Sequence, residues 1–316
     1  MWNWLIALGV GFFMLAGGAL AFLILRHPGP SGIPAPATPA NPPAVHRPRR
    51  LPEPSAAPVP VTPPPPSPAR SLPLPPLAAN EPPTVAPESM PDSPDRVADA
   101  RARRGAHLAA LFRAAGMDYP AREVYLRVFK TEGQIELWAR SRPAPATFRL
   151  VGTYPVLCAS GRLGPKRHEG DGQVPEGYYT VDRFNPRSLF HVSLGLNYPN
   201  AADRLLTADP EHPGTDIFIH GNALSIGCLA MGDAVAEELY LAAADAHART
   251  GNVPAVHIFP CRMTDENWRV LLAPLCVGRP ALEKLWRSLR TGYERFEHTR
   301  QVPAARVDAA GGYLLD

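Results

Sequence analysis

The chain has 316 residues, 40 of them proline, with 45% hydrophobic and 19% charged residues and a formal net charge of +3. That charge is too small to argue for a nucleic-acid partner. No phosphate loop, G-x-G-x-x-G fingerprint or zinc-spaced cysteine set is present, so no cofactor and no metal are expected.

Trp4 to Leu25 contains no charged residue. As a helix this stretch extends roughly 33 Å, enough to cross a bilayer core. Residues 1–26 are therefore read as a transmembrane anchor. Ala19-Leu20-Ala21 also offers a signal-peptidase site, which would release a secreted protein. The first four residues carry no Lys or Arg, and this favours an uncleaved anchor. Arg26 leans towards a cytoplasmic C-terminus.

Residues 27–94 hold 25 of the 40 prolines and no aromatic side chain. Such a tract forms no core and reads as a disordered, semi-extended tether with a reach up to ~200 Å. From Asp95 the composition becomes globular. Residues 95–122 form a helical lead-in, with a helix expected over Val97 to Ala115. Val124–Phe129 and Ile135–Ala139 read as a hairpin around Thr131-Glu132-Gly133-Gln134. Further strands are expected around Phe148 to Tyr154, Gly177 to Val181 and Phe190 to Leu194. Asp216 to His220 is the most apolar strand and is expected to be central. Asp233 is expected to cap a helix, followed by a strand over Val253 to Phe259. Helices over Thr264 to Leu272 and Arg279 to Thr291 make 263–316 a C-terminal extension to a domain at 123–262. The fold class is mainly β with appended helices (α+β).

The chemistry concentrates in His220-Gly221-Asn222-Ala223-Leu224-Ser225-Ile226-Gly227-Cys228-Leu229-Ala230. An apolar strand leads into a histidine, and a glycine-bounded loop delivers a cysteine to an expected helix start. Acyl transfer needs a thiol beside an imidazole base, on backbone that approaches a substrate closely. His220 and Cys228 are the candidate catalytic pair, read as a thiolate and imidazolium favoured by the helix start. Backbone N–H groups around Gly227 and Cys228 are the expected oxyanion donors. Gly221 and Ser225 support the loop. Lys166, His191 and Tyr179 are candidate substrate-cleft residues, although His191 and His257 sit in apolar runs where a structural histidine is the plainer reading. Cys158, Cys261 and Cys276 allow at most one disulfide, with free thiols the default.

These residues resemble the L,D-transpeptidase (YkuD-type) catalytic domain of bacterial cell-wall enzymes. His220-Gly221 and Ser225-Ile226-Gly227-Cys228 match the family's His-Gly and Ser-x-Gly-Cys elements. Pro175-Glu176-Gly177-Tyr178-Tyr179 matches its Pro-x-Gly-x-aromatic run. Similarity to a YafK-like branch lies in Gly164-Pro165-Lys166-Arg167, Glu169-Gly170-Asp171-Gly172, Phe190 to Pro199 and Val256 to Pro260. Where many members carry an arginine two residues after the cysteine, this chain has Ala230.

The resemblance implies a β-sandwich-like catalytic domain acting on peptidoglycan stem peptides. It implies a Cys228 thioester at the L-centre of the diamino acid, then transfer to an amine. The alternatives are an L,D-endopeptidase or amidase using water, including release of a wall-attached lipoprotein, and a non-catalytic wall-binding protein. The implied location is the bacterial cell envelope, with the domain in the periplasm. The positive-inside reading of Arg26 conflicts with that placement.

Overall fold

The computed structural model describes residues 95–315. The anchor expected at 1–26 and the tether at 27–94 lie outside the described residues. Among the described residues, no helix is long and apolar enough to cross a membrane.

Helix α1 (Arg96–Ala114) begins where the Asp95 carboxylate accepts the Ala98 N–H at 3.0 Å, an N-cap satisfying one orphan donor. It buries Ala100, Leu108 and Phe112. Strands β1 (Glu123–Phe129) and β2 (Gln134–Arg140) form the expected hairpin, and β3 (Arg149–Pro155) adds antiparallel to β2. Gly133 turns the hairpin with φ of 59°, a left-handed conformation that glycine adopts without Cβ strain.

Strand β4 (Gly177–Ser188) runs beyond the expected Val181. It is followed by β5 (His191–Leu196), the short helix α2 (Ala201–Leu206), β6 (Phe218–His220), β7 (Leu229–Ala230), helix α3 (Asp233–Thr250) and β8 (Ala255–Phe259). The domain is mixed α+β, built on one curled eight-stranded sheet in the order β3-β2-β1-β8-β4-β5-β6-β7. Pairing is antiparallel except for β1 with β8 and β6 with β7. Strand β4 causes the bend. Its first residues, Gly177 to Thr180, pair with β8. From Val181 it pairs with β5, across a register shift between Val181 and Arg183. A bulge there twists the strand and turns the sheet.

Two expectations need correction. The strand ending at His220 is not central: β6 has three residues and is second from the sheet edge, whereas β8 and β1 lie inside. Its apolarity reports burial of Ile217 and Ile219, not position. Nor does Asp233 cap α3 with its side chain. Gly232 is the N-cap, with φ of 73° and no side-chain cap bond.

The C-terminal region holds α4 (Asp265–Asn267), a π-helical turn over Trp268–Leu272, α5 (Ala273–Cys276) and α6 (Pro280–Thr299), which runs past the expected Thr291. A small hairpin of β9 (Ala305–Val307) and β10 (Tyr313–Leu315) follows. Two cores result. One lies between α1, α3 and the sheet. The other gathers Phe129, Tyr178 and Phe259 against Leu285, Trp286 and Leu289 of α6. The Trp286 indole N–H donates to Glu176 at 2.6 Å, and Glu176 also pairs with Lys130 at 3.0 Å. The glutamate of the Pro-x-Gly-x-aromatic run therefore serves as an internal fastener.

Candidate active site

Strand register decides which side chains share a face. Phe184, Leu194, Ile219 and Leu229 stand opposite one another across β4, β5, β6 and β7. The last three are at most 1% exposed and join the core that includes α3. The alternating residues take the other face. There Arg183 faces Gly195, which faces Phe218, while Ser193 faces His220, which faces Ala230. Continuing that register back by one residue sets Cys228 level with Phe218. His220 and Cys228 are thus diagonal neighbours on one face of the parallel β6–β7 pair. No hydrogen bond joins imidazole and sulfur among the described residues.

His220 is buried, and its Nδ1 donates to the Gly221 carbonyl at 2.6 Å. A carbonyl only accepts, so the neutral ring carries its proton on Nδ1 and leaves Nε2 as the basic nitrogen. Burial lowers the His220 pKa from 6.5, partly offset by this bond. The Phe190 ring lies over the imidazole, with centroids 4.8 Å apart.

Cys228 is half-buried and free, and its thiol reaches the Asp216 carbonyl at 3.5 Å. Burial raises its pKa, Asp216 adds to the rise, and the Phe218 N–H and Lys166 oppose it. Both directions favour the neutral thiol and the neutral imidazole over the ion pair. The helix start expected at Cys228 needs correction. Cys228 enters the two-residue strand β7, and the helix begins only at Asp233, so no helix dipole acts on the sulfur.

The loop is held from three sides. The Ser225 hydroxyl donates to the Cys228 carbonyl at 2.6 Å. The Asn222 N–H donates to Asp233 at 2.8 Å. Segment 157–160 runs beside β7, with Cys158 bridged to Ala230. Its Ser160 hydroxyl accepts the Gly227 N–H at 2.6 Å. Gly227, with φ of 96°, thus has its N–H already engaged. It does not stand ready as an oxyanion donor; the Cys228 N–H has no acceptor among the described residues. Gly221 is a close approach, since a Cβ there would lie 2.8 Å from the Phe190 carbonyl and 2.9 Å from the His191 Cβ.

Each of the three cleft candidates has an internal partner. Tyr179 is 1% exposed and donates to Asp203 at 3.1 Å, inside the core. Lys166 is buried, with its ammonium on Asp171 at 2.6 Å and the His168 carbonyl at 2.8 Å. His191 is tied to Glu237 of α3 at 2.7 Å, and Arg103 of α1 holds the same carboxylate. His257 is fully packed between aromatic rings, with its pKa pushed down to about 3 by burial. Cys158, Cys261 and Cys276 are free thiols.

Sequence reasoning missed Ser160, Phe190, Ser193 and Asp216. Phe190 and Ser193 lie within the Phe190 to Pro199 run without having been given a role there, and Ser160 and Asp216 belong to no motif. Ser193 faces His220, and its buried hydroxyl has no partner among the described residues. Among those residues no cluster of three His, Cys, Asp or Glu could hold a metal ion. A cavity of about 160 Å³ near Glu123, Arg140 and Gln301 is lined by none of the site residues.

The family description of the L,D-transpeptidase catalytic domain, YkuD, matches residues 123–252. "Putative L,D-transpeptidase YafK" of Escherichia coli strain K12 is 32% identical over 194 residues, 61% of this chain and 73% of that protein. The chain belongs to the L,D-transpeptidase catalytic domain family. Among solved structures, the helical cell shape determining protein Pgp2 of Campylobacter jejuni aligns at 17% identity with a TM-score of 0.34, covering 64% of this chain and 80% of that one. Bd1075 of Bdellovibrio bacteriovorus aligns at 17% and 0.33, covering 60% and 77%.

Proposed function

We propose that this protein is a peptidoglycan-modifying cysteine acyltransferase, with Cys228 as nucleophile and His220 as general base. The observation that supports it best is the Nδ1 bond to Gly221, which leaves Nε2 unprotonated on the face that carries the thiol. In this reading the thiol proton passes to Nε2 as sulfur attacks the carbonyl at the L-centre of a stem-peptide diamino acid. The Cys228 N–H stabilises the developing oxyanion, a kind of contact worth about 10²–10³ in rate. The C–N bond breaks, the imidazolium returns its proton to the leaving amine, and a thioester remains. A second amine then yields a cross-link or an attached lipoprotein; water yields hydrolysis.

Residues 1–26 and 27–94, as anchor and tether, would hang the domain at 123–262 in the cell envelope within reach of an insoluble polymer. The test incubates the full-length protein with muropeptides and reads products by mass spectrometry. Cross-linked or exchanged stems support transfer, and trimmed stems assign hydrolysis. No change, or undiminished turnover by a folded Cys228→Ala variant, defeats the proposal.

A further inference from the structure

Arg183 is the residue that crosses most of the catalytic face. It starts on β4, passes over Gly195 of β5, and its guanidinium carbon rests 4.9 Å from the centre of the Phe218 ring on β6. The crossing needs glycine at 195: a Cβ there would lie 2.9 Å from the Arg183 Nε and 3.0 Å from its Cβ. At its far end Nη1 donates to the Asp216 carboxylate at 2.7 Å, while Nε donates to Asp182 at 3.1 Å. Asp216 has φ of 57°, a left-handed conformation unfavourable for a residue with a Cβ. The carbonyl of that residue accepts from the Cys228 thiol.

The geometry points to Arg183 as a positioning residue for the nucleophile: it fixes the Asp216 turn against Cys228 and neutralises the carboxylate beside the sulfur. This rests on the proposed role of Cys228. Two effects follow from the one contact. The Nη1 bond holds a left-handed turn whose carbonyl and following Phe218 N–H both face the sulfur. The cation offsets Asp216, whose negative charge disfavours the thiolate. Besides Asp216, Lys166 of the loop after β3 acts on the sulfur and is itself paired with Asp171; Asp182 on β4 shares the Arg183 guanidinium, and His220 on β6 is the diagonal neighbour of Cys228.

The test uses the full chain and needs no wall substrate. Iodoacetamide alkylation of Cys228 is followed against pH, with peptide mapping to separate it from Cys158, Cys261 and Cys276. Arg183→Ala should move the thiol titration upward and slow alkylation at neutral pH about tenfold, the equivalent of one pKa unit. Arg183→Lys should restore part of the rate. Arg183→Ala with Asp216→Asn should return it close to wild type, because the unmasked charge is gone. Asp216→Asn alone, which serves if Arg183→Ala does not fold, should lower the titration. An unchanged profile in Arg183→Ala, a loss that Asp216→Asn does not cancel, or no shift in Asp216→Asn overturns the inference. Failure of the nucleophile proposal is read separately, as muropeptide turnover surviving in Cys228→Ala.

Discussion

The Gly227 N–H donates to the Ser160 hydroxyl at 2.6 Å, and that hydroxyl donates in turn to the Gly172 carbonyl at 2.8 Å. One serine thereby ties the turn before Cys228 to the loop that follows β3. Removing it frees the Gly227 peptide and the direction of the neighbouring Cys228 N–H. Ser160→Ala is expected to lower kcat about tenfold or more, with less effect on KM. Ser160→Thr should recover part of the loss. Alkylation of Cys228 should change little in either variant. Equal losses in alkylation and turnover would point to a collapsed loop instead.

A neutral resting pair gives a distinct pH signature. A preformed thiolate would show a plateau of alkylation across neutral pH. Burial raises the Cys228 pKa above its ordinary 9.0, so the alkylation rate should still climb at pH 9. The His220 pKa is lowered from 6.5, so its basic form persists below that value. The acid limb of kcat/KM should accordingly fall below pH 6.5. Rate profiles over pH 5–10 check both limbs.

Asp203 should make stability depend on pH. Burial pushes its pKa from 3.8 up to about 6, against the Asn200 N–H and the Tyr179 hydroxyl that favour its charged form. Its folded pKa exceeds its unfolded one, so its contribution is complete below about 4 and lost as pH rises through about 6. The loss is on the order of 2–3 kcal/mol. Thermal melts between pH 4 and 7 should show the decline, and Asp203→Asn should flatten it.

Arg127 is 1% exposed, and its guanidinium donates to Glu136 at 2.8 and 2.9 Å, with Glu297 at 2.7 Å. Glu136 also takes the Trp138 indole N–H at 2.7 Å and pairs with Arg262 at 2.8 Å. Truncating this acceptor leaves a buried cation short of its partner. Glu136→Ala should cost about 3–5 kcal/mol in urea unfolding, because breaking a buried pair is worse than never having one. An apolar pair at both 127 and 136 should be less damaging than Glu136→Ala, provided Glu297 is also neutralised. A loss under 1 kcal/mol in Glu136→Ala would refute the assignment.

Legibility in the sequence followed the range of each signal. The β1–β2 hairpin was readable because alternation and a glycine turn are local. So was α1, where Asp95 precedes a helical run. Strand β6 was found but misplaced, since apolarity tells how deeply a strand is buried and not which neighbours it has. The helix expected at Cys228 failed for a similar reason. The helical spacing from Val235 onward says that a helix exists, but β-pairing of Leu229 and Ala230 decided where it starts. Tyr179, Lys166 and His191 were singled out by residue type within runs that resemble the family. Their actual partners, Asp203, Asp171 and Glu237, are what occupy them.

The order of residues alone determined the family, the candidate pair His220 and Cys228, and the glycines that let their loop turn tightly. Those are short-range properties, written within a few residues of one another. The tertiary structure decided that Arg183, Ser160, Phe190 and Ser193 stand around that pair, and that burial favours the uncharged form of each. Both depend on strand register, on the β4 bulge and on burial, and each of these is set by packing between segments far apart in the chain.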